Sequence, residues 1–200
     1  MTLPPTGFAT PRLGVSREDC YFYTHMETPD GGLIPGDWDL RLCVDAHLGF
    51  SDFAGRRVLE IGPASGFLTF AMEDRGADVT AVELGGNYLG DVVPHHDLDM
   101  EAANRERAVL LDRLFNSFWF SHEQRGSRSR VYHGDARRLP DFGHDFEIGV
   151  LASIMLHSTD ALGVLTGVAR RVTSALSLSR PGSRGWRIMW RRSRDLCRTR

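Results

Sequence analysis

Residues 57–66 of this 200-residue chain read Arg57-Val-Leu-Glu60-Ile-Gly62-Pro-Ala64-Ser-Gly66. A short apolar run ends in small residues at positions 62, 64 and 66, and a helical pattern of apolar residues begins at Phe67. Small residues after a strand let the backbone turn tightly and approach a ligand closely. The stretch therefore predicts a strand, a ligand-binding loop and a helix in succession.

Strand and helix patterns alternate along the rest of the chain. Apolar runs predict further strands at 78–84, 130–133, 146–152 and 173–179. Apolar periodicity predicts helices at 67–75 with Gly76 as the stop, at 100–120, after a cap at Ser158 or Thr159, and from Asp37 or Asp39 to about Leu48. This order favours a Rossmann-like, doubly wound and mostly parallel sheet, whose ligands bind where the strand order reverses.

The second predicted strand ends in Glu83, the position at which nucleotide-binding folds place a carboxylate for ribose hydroxyls. The dinucleotide fingerprint also requires a small residue at its sixth position, where this chain has the bulky Phe67. A nicotinamide oxidoreductase is therefore kept only as a distant alternative.

Four elements in order resemble the class I methyltransferases that use S-adenosylmethionine. The loop at 60–66 is similar to their E-x-G-x-G-x-G loop with Ala64 in place of the middle glycine, and Glu83, Gly134-Asp135-Ala136 and the strand at 145–151 are similar to their later motifs. The resemblance covers about residues 50–170. It implies S-adenosylmethionine as the cofactor, with these cofactor-binding residues: Glu60, Gly62, Ala64, Gly66, Glu83 for ribose, and Asp135 and Ala136 for adenine.

Catalytic and metal-ligating candidates are few. His157 follows the fourth predicted strand and is the best candidate for a general base, although a histidine in such a place more often orders the loop by hydrogen bonds. His95 and His96 are adjacent, so on an extended segment they point to opposite sides and do not predict a shared metal. Three scattered cysteines predict neither a zinc site nor a disulfide framework. We therefore predict no metal.

The acceptor side of the site is expected to come from two segments. Residues 87–130 are long for a connection between strands and are predicted to form one pocket wall. The aromatic, Gly- and Pro-rich segment 1–49, with Tyr21, Tyr23 and Trp38, is predicted to cover the pocket, and residues 50–179 to form the cofactor-binding domain. Phe118 and Trp119 are equally compatible with a core position.

Composition separates the body of the chain from its end. Residues 1–165 hold 25 acidic residues and 14 arginines, a net charge of −11, whereas residues 166–200 hold one acidic residue and 10 arginines, a net charge of +9. The acidic body argues against nucleic-acid binding through the domain face. Hydrophobic residues at 42% and charged residues at 25% indicate a globular protein. With no secretory signal and no membrane-spanning run, a cytoplasmic location is expected.

Residues 180–200 are predicted to be an irregular basic tail. They show neither alternation nor helical period, so the last strands of a methyltransferase sheet are expected to be missing and the strand at 173–179 to form an exposed edge. Our hypothesis is that a frameshift or truncation in a GC-rich gene produced this composition, and retranslation of the gene shifted by one base tests it. The alternative is a genuine basic arm for RNA or acidic lipid.

The predicted function is methyl transfer from S-adenosylmethionine to a small-molecule acceptor. One alternative is an RNA methyltransferase, similar to the enzymes that act on the wobble uridine of transfer RNA. Another is a fragment that binds S-adenosylmethionine without catalysis. The sequence does not identify the acceptor or the methylated atom.

Overall fold

The computed structural model describes residues 7–49, 51–84 and 96–179, together with the backbone of residues 186–189. Its strands are β1 (Gly7–Phe8), β2 (Met26–Glu27), β3 (Leu33–Ile34), β4 (Arg57–Ile61), β5 (Asp78–Glu83), β6 (Arg130–His133), β7 (Phe146–Ala152), β8 (Val172–Ser179) and β9 (Trp186–Met189). Its α-helices are α1 (Val44–His47), α2 (Phe67–Glu73), α3 (Met100–Arg125) and α4 (Ala161–Ala169).

The central sheet is α/β and doubly wound, as the sequence predicts. Its strand order is β1-β6-β5-β4-β7-β8-β9, while β2 and β3 form a separate antiparallel pair. Strands β4 to β8 are parallel to their neighbours, and β1 and β9 pair antiparallel at the two edges. The chain moves outward from β4 to β6 on one side and from β7 to β8 on the other. The strand order therefore reverses at β4 and β7.

Apolar cores cover both faces of this sheet. On one face Leu68 and Met72 of α2 pack against Val58 of β4. On the other face Val164 and Val168 of α4 belong to the same cluster as Leu59, Leu151 and Leu176 of the strands. Burial on both faces explains why these strands have continuous apolar runs instead of alternating patterns.

The helix ends differ in part from the predictions. Asp99 caps α3 by accepting hydrogen bonds from two backbone N–H groups, and the helix continues past the predicted end at 120 until Gly126 takes a left-handed backbone. The carboxylate of Asp160 accepts the backbone N–H of Gly163 and caps α4. The prediction of Ser158 or Thr159 as that cap is therefore wrong, because the aspartate lies directly before the first turn.

The predicted helix from Asp37 or Asp39 to Leu48 is largely replaced by other structure. A 3-10 turn at Arg41–Cys43 is followed only by the four residues of α1. Both oxygens of Asp39 are engaged by the Arg41 side chain, so this acid closes a local turn instead of capping a long helix. Within the turn Leu42 is fully exposed.

The N-terminal segment packs into the body of the domain. Phe22 and Met26 are buried in one cluster with Phe70 of α2 and with Phe118 and Trp119 of α3. The core interpretation of Phe118 and Trp119 is thereby the correct one, since they are 1% and 3% exposed. The segment before residue 50 therefore contributes to the hydrophobic core as well as to the surface above the sheet.

The expectation of an irregular tail is wrong for part of it. Residues Trp186–Met189 form β9, which pairs antiparallel with β8 from Ala175 to Leu178. The β8 strand is therefore not an open edge. Backbone hydrogen bonds along an exposed strand stabilise a partner whose side chains show no alternation, which is why the sequence pattern missed it. The remainder of 180–200 lies outside the described residues.

Among the residues that the structure describes, no helix has the length and apolar character needed to span a lipid bilayer.

Candidate functional site

A cavity of about 620 Å³ opens at the carboxyl ends of β4 to β7, where the strand order reverses. Residues placed just after or at the end of these parallel strands line it: Gly62 after β4, Glu83 at the end of β5, Asp135 after β6 and Ser153 after β7. Six of the eight residues predicted for the site meet there: Gly62, Ala64, Glu83, Asp135, Ala136 and His157. Glu60 and Gly66 do not line it.

The loop after β4 is built from left-handed backbone. Gly62, Ala64 and Gly66 have φ angles of 72°, 51° and 91°. Ala64 and Ser153 are the non-glycine residues with positive φ in the described part of the chain, and both line the cavity. A left-handed conformation costs a residue with a Cβ about 1 kcal/mol. The strain is thus concentrated at the cavity wall, which is typical of functional sites.

Gly66 supports the loop from below. A Cβ built on Gly66 would lie 2.4 Å from Cε2 of Phe70 and 3.0 Å from Cδ2 of Phe118. The absence of a side chain therefore lets α2 and α3 close directly beneath the turn. In the structure Gly66 allows this close packing, and its predicted contact with the cofactor stays a prediction.

Glu60 is a buried carboxyl group beneath the cavity. It is 1% exposed, and Thr69 Oγ1 donates a hydrogen bond of 2.5 Å to its Oε2. Burial raises the pKa of Glu60 to about 7, the Thr69 hydrogen bond opposes this increase, and the negative charge of Glu83 adds to it. A ligand with a positive charge near this pair would favour the ionised forms.

Glu83 is the acidic residue of the cavity wall. The Oε1 atom of Glu83 accepts a hydrogen bond of 2.8 Å from the backbone N–H of Leu84. Burial raises the pKa of Glu83 to about 7, and the hydrogen bond from Leu84 opposes part of this increase. The position is set by sheet register, since Glu83 pairs with His133 and its carbonyl accepts the N–H of Gly134.

Asp135 lies where the sequence predicted but has a protein partner. Its carboxylate accepts hydrogen bonds from the backbone N–H and from Nε of Arg137, at 2.9 to 3.0 Å. Burial alone would raise the pKa of Asp135, but these hydrogen bonds and the Arg137 charge outweigh it and lower the pKa. A carboxylate has about four acceptor sites, so Asp135 keeps lone pairs for a further donor. Ala136 begins the 3-10 turn that this carboxylate caps.

His157 lies at the mouth of the cavity, at the end of the 3-10 helix Ile154–His157. Its side chain is exposed. Within residues 7–49, 51–84 and 96–179, no hydrogen bond or ion pair holds the His157 ring. A histidine that orders the loop would need such a bond. Its role as a base stays a prediction.

One face of α3 forms the wall opposite the loop. Residues at a helical spacing of three and four line the cavity from this side: Ala103, Glu106, Arg107, Leu110, Leu111 and Leu114. We call these six residues the helix wall, and Gly62, Ala64, Glu83, Asp135 and Ala136 the loop wall. Residues 87–95 of the predicted wall lie outside the described residues, whereas residues 103–114 supply it.

The N-terminal segment contributes two tyrosines. Tyr21 and Tyr23 line the cavity, whereas Trp38 does not and is 48% exposed. Thr24 bonds Ser65 of the loop through both its backbone N–H and its hydroxyl, at 3.4 and 3.0 Å. The segment is therefore attached directly to the turn after β4, and this contact joins residues that are 41 positions apart in sequence.

One polar pair of the site has no signal in the sequence. The hydroxyl of Tyr21 donates a hydrogen bond to Oδ2 of Asp37. This bond is the largest cause that raises the pKa of Tyr21, to about 12. The sequence predicted Tyr21 as part of an aromatic wall and Asp37 only as a helix cap. Their contact depends on how the segment folds back on itself.

In the described part of the chain, no group of three or more His, Cys, Asp or Glu side chains lies close enough together to bind a metal ion. His96 is exposed and lies 3.0 Å from Asp97. His95 falls outside the described residues.

No family model matches the chain. It is 43% identical over 56 residues to the ribosomal RNA small subunit methyltransferase A of Mycobacterium avium (strain 104), a segment that covers 28% of this chain and 17% of that protein.

Solved structures of methyltransferases were also found. One is the magnesium protoporphyrin IX methyltransferase of Synechocystis with bound SAM, at 14% identity and a TM-score of 0.48, covering 74% of this chain and 59% of that one. Another is the glycopeptide N-methyltransferase MtfA, at 20% identity and a TM-score of 0.43, covering 80% and 55%. The chain thus spans little more than half the length of these two proteins.

Proposed function

We propose that this protein transfers a methyl group from S-adenosylmethionine to a small-molecule acceptor. The observation that carries the proposal is a single cavity at the reversal of strand order that joins the turn after β4 to Glu83 and to Gly134–Ala136. These are the residues at which the sequence resembles class I methyltransferases. The methyltransferases among the similar proteins support the same activity.

The residues of the loop wall fit this cofactor. The turn at Gly62 and Ala64 brings backbone close to the cavity, and these two residues carry no large side chain, although Ile154 packs over Gly62. One oxygen of Glu83 accepts the hydrogen bond from Leu84, and the other would accept the ribose hydroxyls, since no second bond reaches it from the described residues. Asp135 and the backbone of Ala136 would contact adenine. The volume of about 620 Å³ is within the range of sites for ligands of this size.

When bound, the cofactor supplies a methyl group on a positively charged sulfur that is already electrophilic. The protein's task is then to orient the acceptor, exclude water and accept a proton where one is lost. The ionisable Glu60 and Glu83 favour a cationic ligand over a neutral one. His157 at the mouth is the proposed base of the sequence analysis.

A small acceptor with an apolar body suits the helix wall. Leu110, Leu111 and Leu114 present hydrocarbon to the cavity, and Arg107 lies one turn away on the same face. Arg107 makes no ion pair within the described residues, so it would bind a carboxylate or phosphate at the end of such an acceptor. We place this reaction in the cytoplasm, in keeping with the sequence prediction.

A thermal-shift comparison tests the cofactor. We expect S-adenosylhomocysteine to raise the melting temperature, and NAD and ATP to have little effect, because a ligand stabilises the native state in proportion to its occupancy. The Glu83→Ala variant should lose most of this shift, whereas Asp78→Ala, at the opposite end of the same strand, should keep it. A larger shift with NAD than with S-adenosylhomocysteine would overturn the proposal in favour of an oxidoreductase. A shift without turnover of any acceptor would favour a binding protein without catalysis.

RNA is the second candidate acceptor, favoured by the segment shared with a ribosomal RNA methyltransferase and by the arginines of residues 180–200. It predicts RNA affinity that falls steeply with salt and disappears when residues 190–200 are deleted. Unchanged affinity in the deletion variant would contradict it. The net charge of −11 over residues 1–165 favours the small molecule.

A further inference from the structure

We infer that Tyr21 and Asp37 form a proton relay that takes the proton of an O–H or N–H acceptor out of the cavity to solvent. The inference rests on the proposed methyl transfer and identifies a catalytic residue for it. It also narrows the acceptor class to nucleophiles that lose a proton on methylation.

The first part of the relay is a tyrosine held rigidly at the cavity wall. Tyr21 lines the cavity and is half-buried. The backbone N–H of Tyr21 donates to the carbonyl of Arg113 at 3.0 Å, and Ser117 Oγ donates to the carbonyl of Tyr21 at 2.5 Å. Both partners belong to α3, the helix that carries the helix wall. The ring is therefore positioned by the same element that would orient the acceptor.

The second part is a carboxylate in contact with water. Asp37 accepts the hydrogen bond of the Tyr21 hydroxyl, is exposed, and does not line the cavity. The adjacent backbone is held by the bond from the Trp38 N–H to the Tyr23 carbonyl at 3.1 Å. A half-buried hydroxyl is thus bonded to an exposed base, which connects the cavity with solvent through two side chains.

The proton balance of the step is simple. The acceptor oxygen or nitrogen forms a bond to the methyl carbon, and the carbon–sulfur bond breaks with its electron pair on sulfur. The acceptor proton passes to Tyr21 Oη while the proton of that hydroxyl passes to Asp37, which releases it to water. Tyr21 ends as it began, and the net products are the methylated acceptor, the thioether and one proton.

The electrostatics favour a relay over a free phenolate. The hydrogen bond to Asp37 raises the pKa of Tyr21 to about 12, so its hydroxyl stays protonated at neutral pH. It can then accept one proton only as it gives up another. His157 at the mouth is exposed, and within the described residues it lacks the orienting carboxylate that Tyr21 has. The tyrosine pair is therefore the better-positioned route.

The test compares two bicyclic acceptors of the same size. Methylation of 2-naphthol releases a proton, whereas methylation of isoquinoline at nitrogen releases none. We expect Tyr21→Phe to lower kcat for 2-naphthol by about 100-fold, which is typical of lost general-base catalysis, and kcat for isoquinoline by less than about threefold. Asp37→Asn should show the same selectivity. Tyr132→Phe, at a tyrosine that does not line the cavity, should change neither. Equal losses for both acceptors would show a structural role and overturn the relay.

A binding measurement covers the case in which neither probe is methylated. The relay requires 2-naphthol to bind more tightly than naphthalene. In Tyr21→Phe the ratio of the two dissociation constants should fall by about five- to tenfold. The same preference in Tyr21→Phe as in the wild type would overturn the relay. The shift with S-adenosylhomocysteine should be unchanged in Tyr21→Phe. If S-adenosylhomocysteine does not raise the melting temperature of the wild type, that result would instead contradict the proposed function.

Discussion

The two walls of the cavity differ in how they are built. The loop wall consists of residues within three positions of the ends of β4, β5 and β6, and its geometry follows from sheet register and small residues. The helix wall and the tyrosines come from segments that meet the sheet only through packing and through long-range bonds such as that between Arg113 and Tyr21. The difference teaches that cofactor binding depends on local backbone, whereas acceptor choice depends on tertiary packing.

The largest effect is expected where the loop wall rests on α2. Gly66→Ala adds a methyl group 2.4 Å from the Phe70 ring at a positive φ, so we expect a loss of about 3 kcal/mol in the free energy of unfolding. Gly126→Ala is the matched control, because Gly126 also has a positive φ but has no atom within 4 Å of the added Cβ. Urea denaturation should show a loss of about 1 kcal/mol in the free energy of unfolding for Gly126→Ala. Equal losses would mean that strain alone, without the clash, sets the cost.

The second prediction sharpens the electrostatics beneath the loop wall. Burial raises the pKa of Glu60 from 4.5 to about 7, so the folded state binds a proton more tightly than the unfolded state. This contribution to stability is present below pH 4.5 and is lost as the pH rises through 7. Glu60→Gln removes it and keeps an oxygen to accept the Thr69 hydrogen bond. We expect the variant to gain about 2 to 3 kcal/mol on the wild type between pH 5 and pH 8.

Urea denaturation at the two pH values measures this difference. Glu147→Gln is a suitable control, since Glu147 accepts hydrogen bonds from Arg57 and its pKa is lowered from 4.5, so its contribution to stability is lost only below that pH and should change little between pH 5 and pH 8. A difference between Glu60→Gln and wild type that is the same at both pH values would refute the proposed ionisation.

The third prediction separates the two walls. Leu110→Gln places an amide on the helix wall and leaves the loop wall untouched. We expect the thermal shift with S-adenosylhomocysteine to stay unchanged, while KM for an apolar acceptor rises about fivefold, corresponding to about 1 kcal/mol. Exposed Leu42, far from the cavity lining, provides the control as Leu42→Gln. A reduced thermal shift in Leu110→Gln would show that the walls do not act independently.

The smallest effect concerns the residue that departs from the family's loop. Ala64 has a φ of 51°, so Ala64→Gly relieves backbone strain at the cost of greater freedom in the unfolded chain. We expect a net gain of about 0.5 kcal/mol in thermal unfolding and unchanged cofactor affinity. A clear loss of stability would mean that the Ala64 methyl group makes packing contacts worth more than the strain.

Most of the loop wall was predictable from sequence, and the acceptor side was predictable only in outline. The positions of Gly62, Glu83 and Asp135 follow from where apolar runs stop, because parallel strands bring their carboxyl ends to one edge. Tyr21 was expected near the pocket on aromatic character alone. Its hydrogen bond to Asp37 was not, because nothing in the local pattern of residues 37–40 indicates a turn in place of a helix. The burial of Glu60 was equally hidden.

The amino-acid sequence alone determined the order of strands and helices, the loop with its small residues and the acid that ends β5. These features are local, since side-chain periodicity and backbone freedom act over a few residues. Only the tertiary structure decided that β9 closes the edge of β8 and that Tyr21 meets Asp37. Such contacts depend on how distant segments pack, and packing is a property of the whole core.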